Sequence, residues 1–324
     1  MRPLKWLLAL VIVLAIGLFA LPILRSAERE SLTPEARARL GGDYVTLSDG
    51  VTHYQQAGPE GSPVVVLVHG FSVPLYIWDP TFDALAQAGY RVIRYDQYGR
   101  GYSDRPRVRY DRALFVRQLG ELLDSLRVTE PVALVGLSMG GKIVPAFAAE
   151  RPERVTGVVL VDPASAPTDI GPARLPIVGP WLIRTFAVPD MAAGQVTDFL
   201  HPERFPDWVD RYRVQMLYRG FGRSIASSIR HFGVHDPTAD FAALKSNGIP
   251  VLVIWGAEDT TTPIDAAPRV VELTGAELLR VEDAGHLPHL ERPDLVHAAL
   301  LRFLATAPVF SHDDATADTA VSAR

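Results

Sequence analysis

The chain has 324 residues, 48% hydrophobic and 21% charged, which is enough to bury a core and too apolar for a disordered or low-complexity protein. Its 32 Lys and Arg against 37 Asp and Glu give a formal charge of -5, with no basic excess to neutralise phosphates, so no nucleic-acid partner is expected. With no cysteine, disulfide scaffolds, thiolate metal sites and cysteine nucleophiles are excluded, and the composition fits an oxidising compartment.

From Trp6 to Leu24 no residue is charged, while Arg2 and Lys5 precede this run and Arg25, Glu28 and Arg29 come after it. As a helix the run covers roughly 28 Å, close to the hydrocarbon thickness of a bilayer. Residues 1–25 are therefore expected to form a transmembrane signal-anchor. Secretion after signal cleavage is the alternative, but a cut after Ala27 places Arg25 at the small-residue position upstream, and a cut after Ala20 places Leu18 there. A core helix is the third reading. Basic residues flank both ends, so orientation rests on the short amino-terminal flank and the missing cysteines. Both favour a single-pass membrane protein with its domain outside the cytoplasm.

Residues 26–42, rich in Ala and Arg, read as a linker with a short helix starting at Thr33-Pro34. The folded domain is expected over 43–306. It opens with a hairpin, Tyr44 to Leu47 and Val51 to Gln56, joined through Ser48-Asp49-Gly50. Four continuous apolar runs come next, Val64 to Val68, Arg91 to Tyr95, Val132 to Val135 and Val155 to Val161, as buried parallel strands require. Helical spacing separates them at Thr81 to Ala88, Tyr110 to Leu126 and Gly140 to Glu150. Strand, helix, strand repeats of this length build a parallel sheet covered on both faces.

Between about 163 and 240 the alternation breaks into a Pro- and aromatic-rich stretch with Trp181, Phe186, Phe199, Trp208, Tyr212, Met216, Tyr218 and Phe221. This reads as a helical insertion over the sheet. Most of these side chains should pack the insertion's own core and a few should face a pocket. The alternation then resumes, with a strand at Val251 to Trp255, a helix near Ile264 to Leu273, a strand near Leu278 to Val281 and a last helix from Pro293 to Ala305. The tail, 307–324, is polar, without period, and expected to be disordered.

Gly136-Leu137-Ser138-Met139-Gly140-Gly141 comes after a strand and opens a helix, the setting in which G-x-S-x-G holds a serine nucleophile on a strained turn. Ser138 needs a base. Among nine histidines, His286 stands on a loop between the last strand and the last helix, whereas His289 is expected to pack near that helix. His231 and His235 share helical spacing but lack a carboxylate ligand pattern, so no metal is expected. The orienting acid should come after a strand and precede the histidine. Asp259 does both, with Glu258 and Asp162 as competitors. The oxyanion donors are expected to be the amides of Met139 and Phe71, the latter in His69-Gly70-Phe71-Ser72 after the first buried strand.

On four separated motifs the chain resembles the α/β-hydrolase family: His69-Gly70-Phe71, the run from Asp96 to Ser103, the turn at Ser138, and the Asp259 with His286 pair. The resemblance covers about Tyr44 to Ala305. It implies a mostly parallel eight-stranded sheet with helices on both faces, a helical cap inserted after the sixth strand, a serine triad without a cofactor, and a structural role for Asp96 and its glycines. The reaction expected is hydrolysis of a small-molecule carboxylic ester, and the anchor beside an aromatic-rich cap suggests a lipid-like one. The family's carbon-carbon bond hydrolases of ring-fission products and its cofactor-free haloperoxidases, which are perhydrolases, are alternatives. So is a catalytically silent binding module, although triad completeness argues against it. Seven arginines from Arg91 to Arg112 read as a solvated face, or alternatively as a contact for anionic headgroups.

Overall fold

The structure, a computed structural model, describes residues 2–306, so the tail at 307–324 lies outside the described residues. Eight strands form one sheet: β1 (Asp43–Leu47), β2 (Gly50–Ala57), β3 (Val64–Val68), β4 (Arg91–Tyr95), β5 (Val132–Leu137), β6 (Val155–Val161), β7 (Val251–Gly256) and β8 (Glu277–Val281). Their order is β1-β2-β4-β3-β5-β6-β7-β8. The β1-β2 hairpin and the β2-β4 pair are antiparallel; every later pairing is parallel. This is the α/β-hydrolase fold that the resemblance implies.

The continuous apolar runs result from burial on both faces. In β3, Val64, Val66 and Val68 enter one core while Val65 and Leu67 enter the other, so a polar residue at either register would be stranded. Each such side chain contributes about 1.5–3 kcal/mol on burial. The first core is closed by helices Arg112–Ser125, Gly140–Glu150, Thr238–Ser246 and Ala267–Thr274. Helices Asp79–Gln87 and Pro293–Thr306 close the second, together with the insertion. Asp111 fixes one of these starts, because its carboxylate accepts the Leu114 amide at 3.1 Å as an N-cap.

Because β4 and β5 lie on opposite sides of β3, the sheet has its switch point there, and a crevice opens beyond the carboxyl ends of β3 and β5. Short helical segments, the longest being Trp208–Met216 and Phe221–Ser228, cover that crevice. Phe199, Trp208, Tyr212 and Phe221 are buried within this cap, with Phe199 stacked on Phe205 at 4.3 Å between ring centroids. Phe186, by contrast, is 50% exposed.

The apolar amino-terminal run forms one helix, Arg2–Leu24, of which Lys5–Leu24 is long and apolar enough to cross a membrane. Most of its described side chains stand outside the body, Trp6 77% and Leu24 78% exposed, although Pro22 is buried; this is not how a core helix sits. The stretch after this helix is no loose linker. The amides of Arg29 and Glu30 donate to the Leu217 carbonyl at 2.7 and 2.9 Å, and the Arg219 amide donates back to Glu30 at 2.8 Å. The Glu28 carboxylate accepts the amides of Gly220 and Gly222 at 2.6 and 2.8 Å. Beyond the short helix Pro34–Leu40 begins the sheet, and within that helix Arg37 pairs with Asp104 at 2.6 Å. The segment is a strap across cap and body.

Three of the seven arginines in the run are internal. Arg94, Arg100 and Arg105 are buried, Arg94 on Asp79 at 2.6 Å and Arg105 on the carbonyls of Ser103 and Gly101. Arg112 binds Asp240 from the helix beside the cap's end. Arg107 and Arg109 are exposed, so of the seven only these two form a solvated face.

Replacing Glu28 by Ala removes the acceptor of two amides, each charge-assisted bond contributing roughly 1.5–3 kcal/mol. Tryptic cleavage at Arg25, Arg29, Arg37 or Arg39 of the solubilised full chain should then run about tenfold faster or more. Equal cleavage rates would contradict the strap.

Candidate active site

Ser138 sits between β5 and the helix Gly140–Glu150 with φ of +52°, a left-handed conformation that a serine adopts at a cost of roughly 1–3 kcal/mol. The surroundings enforce it. Its amide donates to the Val161 carbonyl at 2.9 Å, and its own carbonyl accepts the amides of Gly141 and Ala164 at 2.9 and 3.0 Å. The flanking glycines are steric necessities: a Cβ at Gly136 would stand 2.5 Å from the Gly140 carbonyl oxygen, and one at Gly140 would stand 2.3 Å from that of Val68. The turn can be this tight because the chain lacks side chains where strand and helix touch.

The loop after β3 lies against the turn. A Cβ on Gly70 would come within 3.2 Å of the Ser138 Cβ. The loop's geometry is locked from behind: Arg100, fully buried, donates to the Phe71 carbonyl at 2.8 Å, and His69 Nε2 accepts the Gln97 amide at 2.9 Å. An accepting Nε2 places the His69 proton on Nδ1, 2.9 Å from the Gly70 carbonyl. Burial pushes the His69 pKa down to about 4, so the ring is a neutral strut. Asp96 behaves as the resemblance implies. It accepts the amides of Leu75 and Tyr102 at 2.8 Å each and binds His53 Nδ1 at 2.6 Å.

Asp259 comes just after β7. Its Oδ1 accepts the amides of Thr261 and Thr262 at 2.8 and 2.9 Å, and its Oδ2 accepts the Thr262 hydroxyl at 2.7 Å and lies 2.8 Å from His286 Nδ1. Burial opposes ionisation of this carboxyl, yet the bonds from His286 and Thr262 outweigh it and hold its pKa below the ordinary value. With Nδ1 engaged, Nε2 is the His286 nitrogen left for proton transfer. His286 and Ser138 line the same cavity, though among the described residues no hydrogen bond joins them. The competitors have other work. Glu258 accepts the Ala284 amide at 3.1 Å and so holds the histidine's loop. His289 is buried against Trp78, and burial pushes its pKa down to about 3. His235 pairs with Asp240, which Arg112 already holds.

Asp162, in sequence terms only a rival acid, joins the site. It lies at the end of β6 with φ of +43°, its Oδ1 accepts the Gly256 amide at 2.9 Å, and its carboxylate, that of Asp259 and the His286 ring each offer an atom within 4.8 Å of the others. The three could in principle hold a cation, but His286 Nδ1 already lies at hydrogen-bond distance from Asp259. Burial first, and the Asp259 charge second, push the Asp162 pKa well up, while that of Asp259 is held down. Adjacency of β6 and β7 in the sheet is the signal that would have revealed this pairing.

Lys142, one turn into the helix after Ser138, carries no motif that sequence reasoning could have used. Its buried ammonium donates to the carbonyls of Ala166 at 2.8 Å and His235 at 3.0 Å, fastening both ends of the cap to the nucleophile's own helix. Burial lowers its pKa to about 8. Two chambers meet at Ser138. One, of about 250 Å³, lies between the Phe71 loop, His286 and the cap residues Met191, Gln195 and Asp198. The other, of about 240 Å³, runs past Met139 and Lys142 to Ile229 and Phe232. None of the aromatics singled out in the sequence lines either chamber; Phe71 and Phe232 do.

A family model described as alpha/beta hydrolase fold matches residues 63–293. The chain is 30% identical over 274 residues to a 2-hydroxy-6-oxononadienedioate/2-hydroxy-6-oxononatrienedioate hydrolase of Paraburkholderia xenovorans, covering 78% of this chain and 90% of that protein. It is 28% identical over 277 residues to a putative 2-succinyl-6-hydroxy-2,4-cyclohexadiene-1-carboxylate synthase of Bacillus subtilis, covering 82% of this chain and all of that one. The crystal structure of the enol-lactonase from Burkholderia xenovorans LB400 superposes with a TM-score of 0.71 at 26% identity, covering 81% of this chain and 100% of that one.

A carboxyl whose folded pKa is raised contributes its stabilisation below the unfolded pKa and loses it as pH climbs through the folded value. Asp162→Asn keeps the acceptor for Gly256 and cannot ionise. It should therefore melt above the native chain by a margin that widens as pH rises above the ordinary carboxyl range. A margin that is flat or shrinks counts against a protonated Asp162.

Proposed function

Because the chain belongs to the alpha/beta hydrolase fold family, and so to a family of hydrolytic enzymes acting on small molecules, we propose that it is a serine hydrolase of carboxylic esters. The observation that carries this is the His286 to Asp259 pair at 2.8 Å, sharing a cavity with a serine held at φ of +52°. In this reading Ser138 attacks the ester carbonyl while His286 Nε2 takes its proton. The amides of Phe71 and Met139 receive the oxyanion, and His286 then protonates the departing alcohol. Water, deprotonated by the same nitrogen, releases the acid and restores Ser138. Asp259 stays ionised and fixes the imidazole tautomer throughout, and no cofactor takes part.

The two chambers give the substrate a bipartite shape, with the group beside His286 leaving first and the group beside Ile229 and Phe232 staying on the serine. Residues 1–25 act as a single-pass anchor with the domain outside the cytoplasm, supported by the length of the uncharged run and the absence of cysteine. An anchored enzyme with one apolar chamber suits amphiphilic esters. A second reading, hydrolysis of a carbon-carbon bond in a ring-fission product, draws on the Paraburkholderia relative. Weighing against it, the glycine- and proline-rich stretch usual in such hydrolases after the His-Gly pair is replaced here by Phe71-Ser72-Val73-Pro74.

On a panel of aryl esters of graded acyl length, beside a dienoate ring-fission product, the esters should turn over and the dienoate should not. Ser138→Ala should abolish both turnover and labelling by a fluorophosphonate. Unchanged labelling would refute the assignment, and turnover of the dienoate alone would transfer it to the second reading. Phe71→Pro, which deletes an amide, should lose roughly 10²- to 10³-fold in kcat. Phe71→Ala, which keeps that amide, should stay close to the native chain.

A further inference from the structure

The helix that precedes the domain contains a proline at position 22, and proline has no amide to donate to the carbonyl four residues earlier. That carbonyl belongs to Leu18. In hydrocarbon an unpaired carbonyl costs several kcal/mol. Here the missing donor is replaced from the cap: Trp181 Nε1 donates to the Leu18 oxygen at 2.7 Å. A second contact lies just beyond the helix, where the Arg25 guanidinium stands 5.8 Å over the Phe186 ring.

Around these contacts the cap turns apolar side chains outward. Leu175, Ile177, Val178 and Phe186 are 51%, 75%, 45% and 50% exposed, beside a helix whose Phe19 and Ile23 are 67% and 70% exposed. The register also fixes a depth. Leu18 lies six residues before the helix end at Leu24, roughly 9 Å along the axis, and segments that lie in a membrane interface sink about 5–10 Å. Tryptophan, with an apolar ring and one donor, is the side chain that favours this level.

We propose that the cap segment from Leu175 to Phe186 is inserted into the headgroup and acyl boundary of the bilayer that the anchor crosses, docked on the anchor through the carbonyl that Pro22 leaves free. The occupant of this surface is lipid. The chain runs on directly from it to Met191, Gln195 and Asp198 in the chamber beside His286, so the enzyme takes its esters from the membrane rather than from solution. This rests on the anchor reading above.

The chain has no cysteine, so one introduced thiol carries a fluorophore without background. The full chain is reconstituted in phosphatidylcholine and phosphatidylglycerol vesicles with the label at Ile177→Cys, at Val13→Cys on the helix, or at Glu60→Cys, an exposed site at the amino ends of the strands. The label at 177 should be quenched severalfold more than the label at 60 by a lipid nitroxide near the headgroup, the label at 13 likewise by a nitroxide deep on the acyl chain, and both should resist aqueous iodide. If 13 is quenched by lipid while 177 is quenched by iodide like 60, the anchor stands and the cap insertion falls. If 177 resists both quenchers, protein covers the patch, as in a dimer of two copies, and the proposal also falls. Iodide quenching at 13 overturns the anchor and with it the inference.

Discussion

Everything at the carboxyl edge of the sheet depends on one backbone constraint, a serine held in left-handed conformation where β5 meets its helix. The strain is modest, roughly 1–3 kcal/mol, but it persists only because three hydrogen bonds through Val161, Gly141 and Ala164 and the absence of side chains at Gly136 and Gly140 leave no relaxed alternative. The same crowding brings the loop after β3 against the turn. One compact knot of main chain thus sets both the position of the hydroxyl and the neighbourhood of the amides of Phe71 and Met139.

Around that knot the side-chain electrostatics are divided between two carboxyls on adjacent strand ends. Asp259 is wrapped by four donors and stays ionised. Asp162, one strand over, has a single main-chain donor, and burial and its neighbour push its pKa up. Two ionised carboxylates so close would repel each other, and the uneven supply of donors decides which of them keeps the charge.

Much of this was legible in the sequence. Doubly buried strands announce themselves as unbroken Val, Ile and Leu, so β3 to β7 were placed within a residue or two, and the G-x-S-x-G turn was found because a strand precedes it and a helix comes after. The features that escaped have a common physical origin. The Asp162 and Asp259 contact depends on which strands are neighbours, which spacing along the chain does not encode. The strap at 26–42 is held by main-chain carbonyls and by Glu28, and a charged stretch tied by its backbone has the composition of a free linker. Buried arginines such as Arg100 and Arg105 have the same letters as solvated ones, and only the carbonyls they meet tell them apart.

Lys142 adds a consequence for how such an enzyme diversifies. Its ammonium gathers the carbonyls of Ala166 and His235, so some seventy residues of insertion leave and return at a single point on the nucleophile's helix. The entropy of closing a loop grows only with the logarithm of its length. An insertion pinned at its base can therefore lengthen, shorten or be exchanged wholesale while the reacting groups beneath it stay put. The scaffold separates the heritable problem of what to bind from that of how to cleave it.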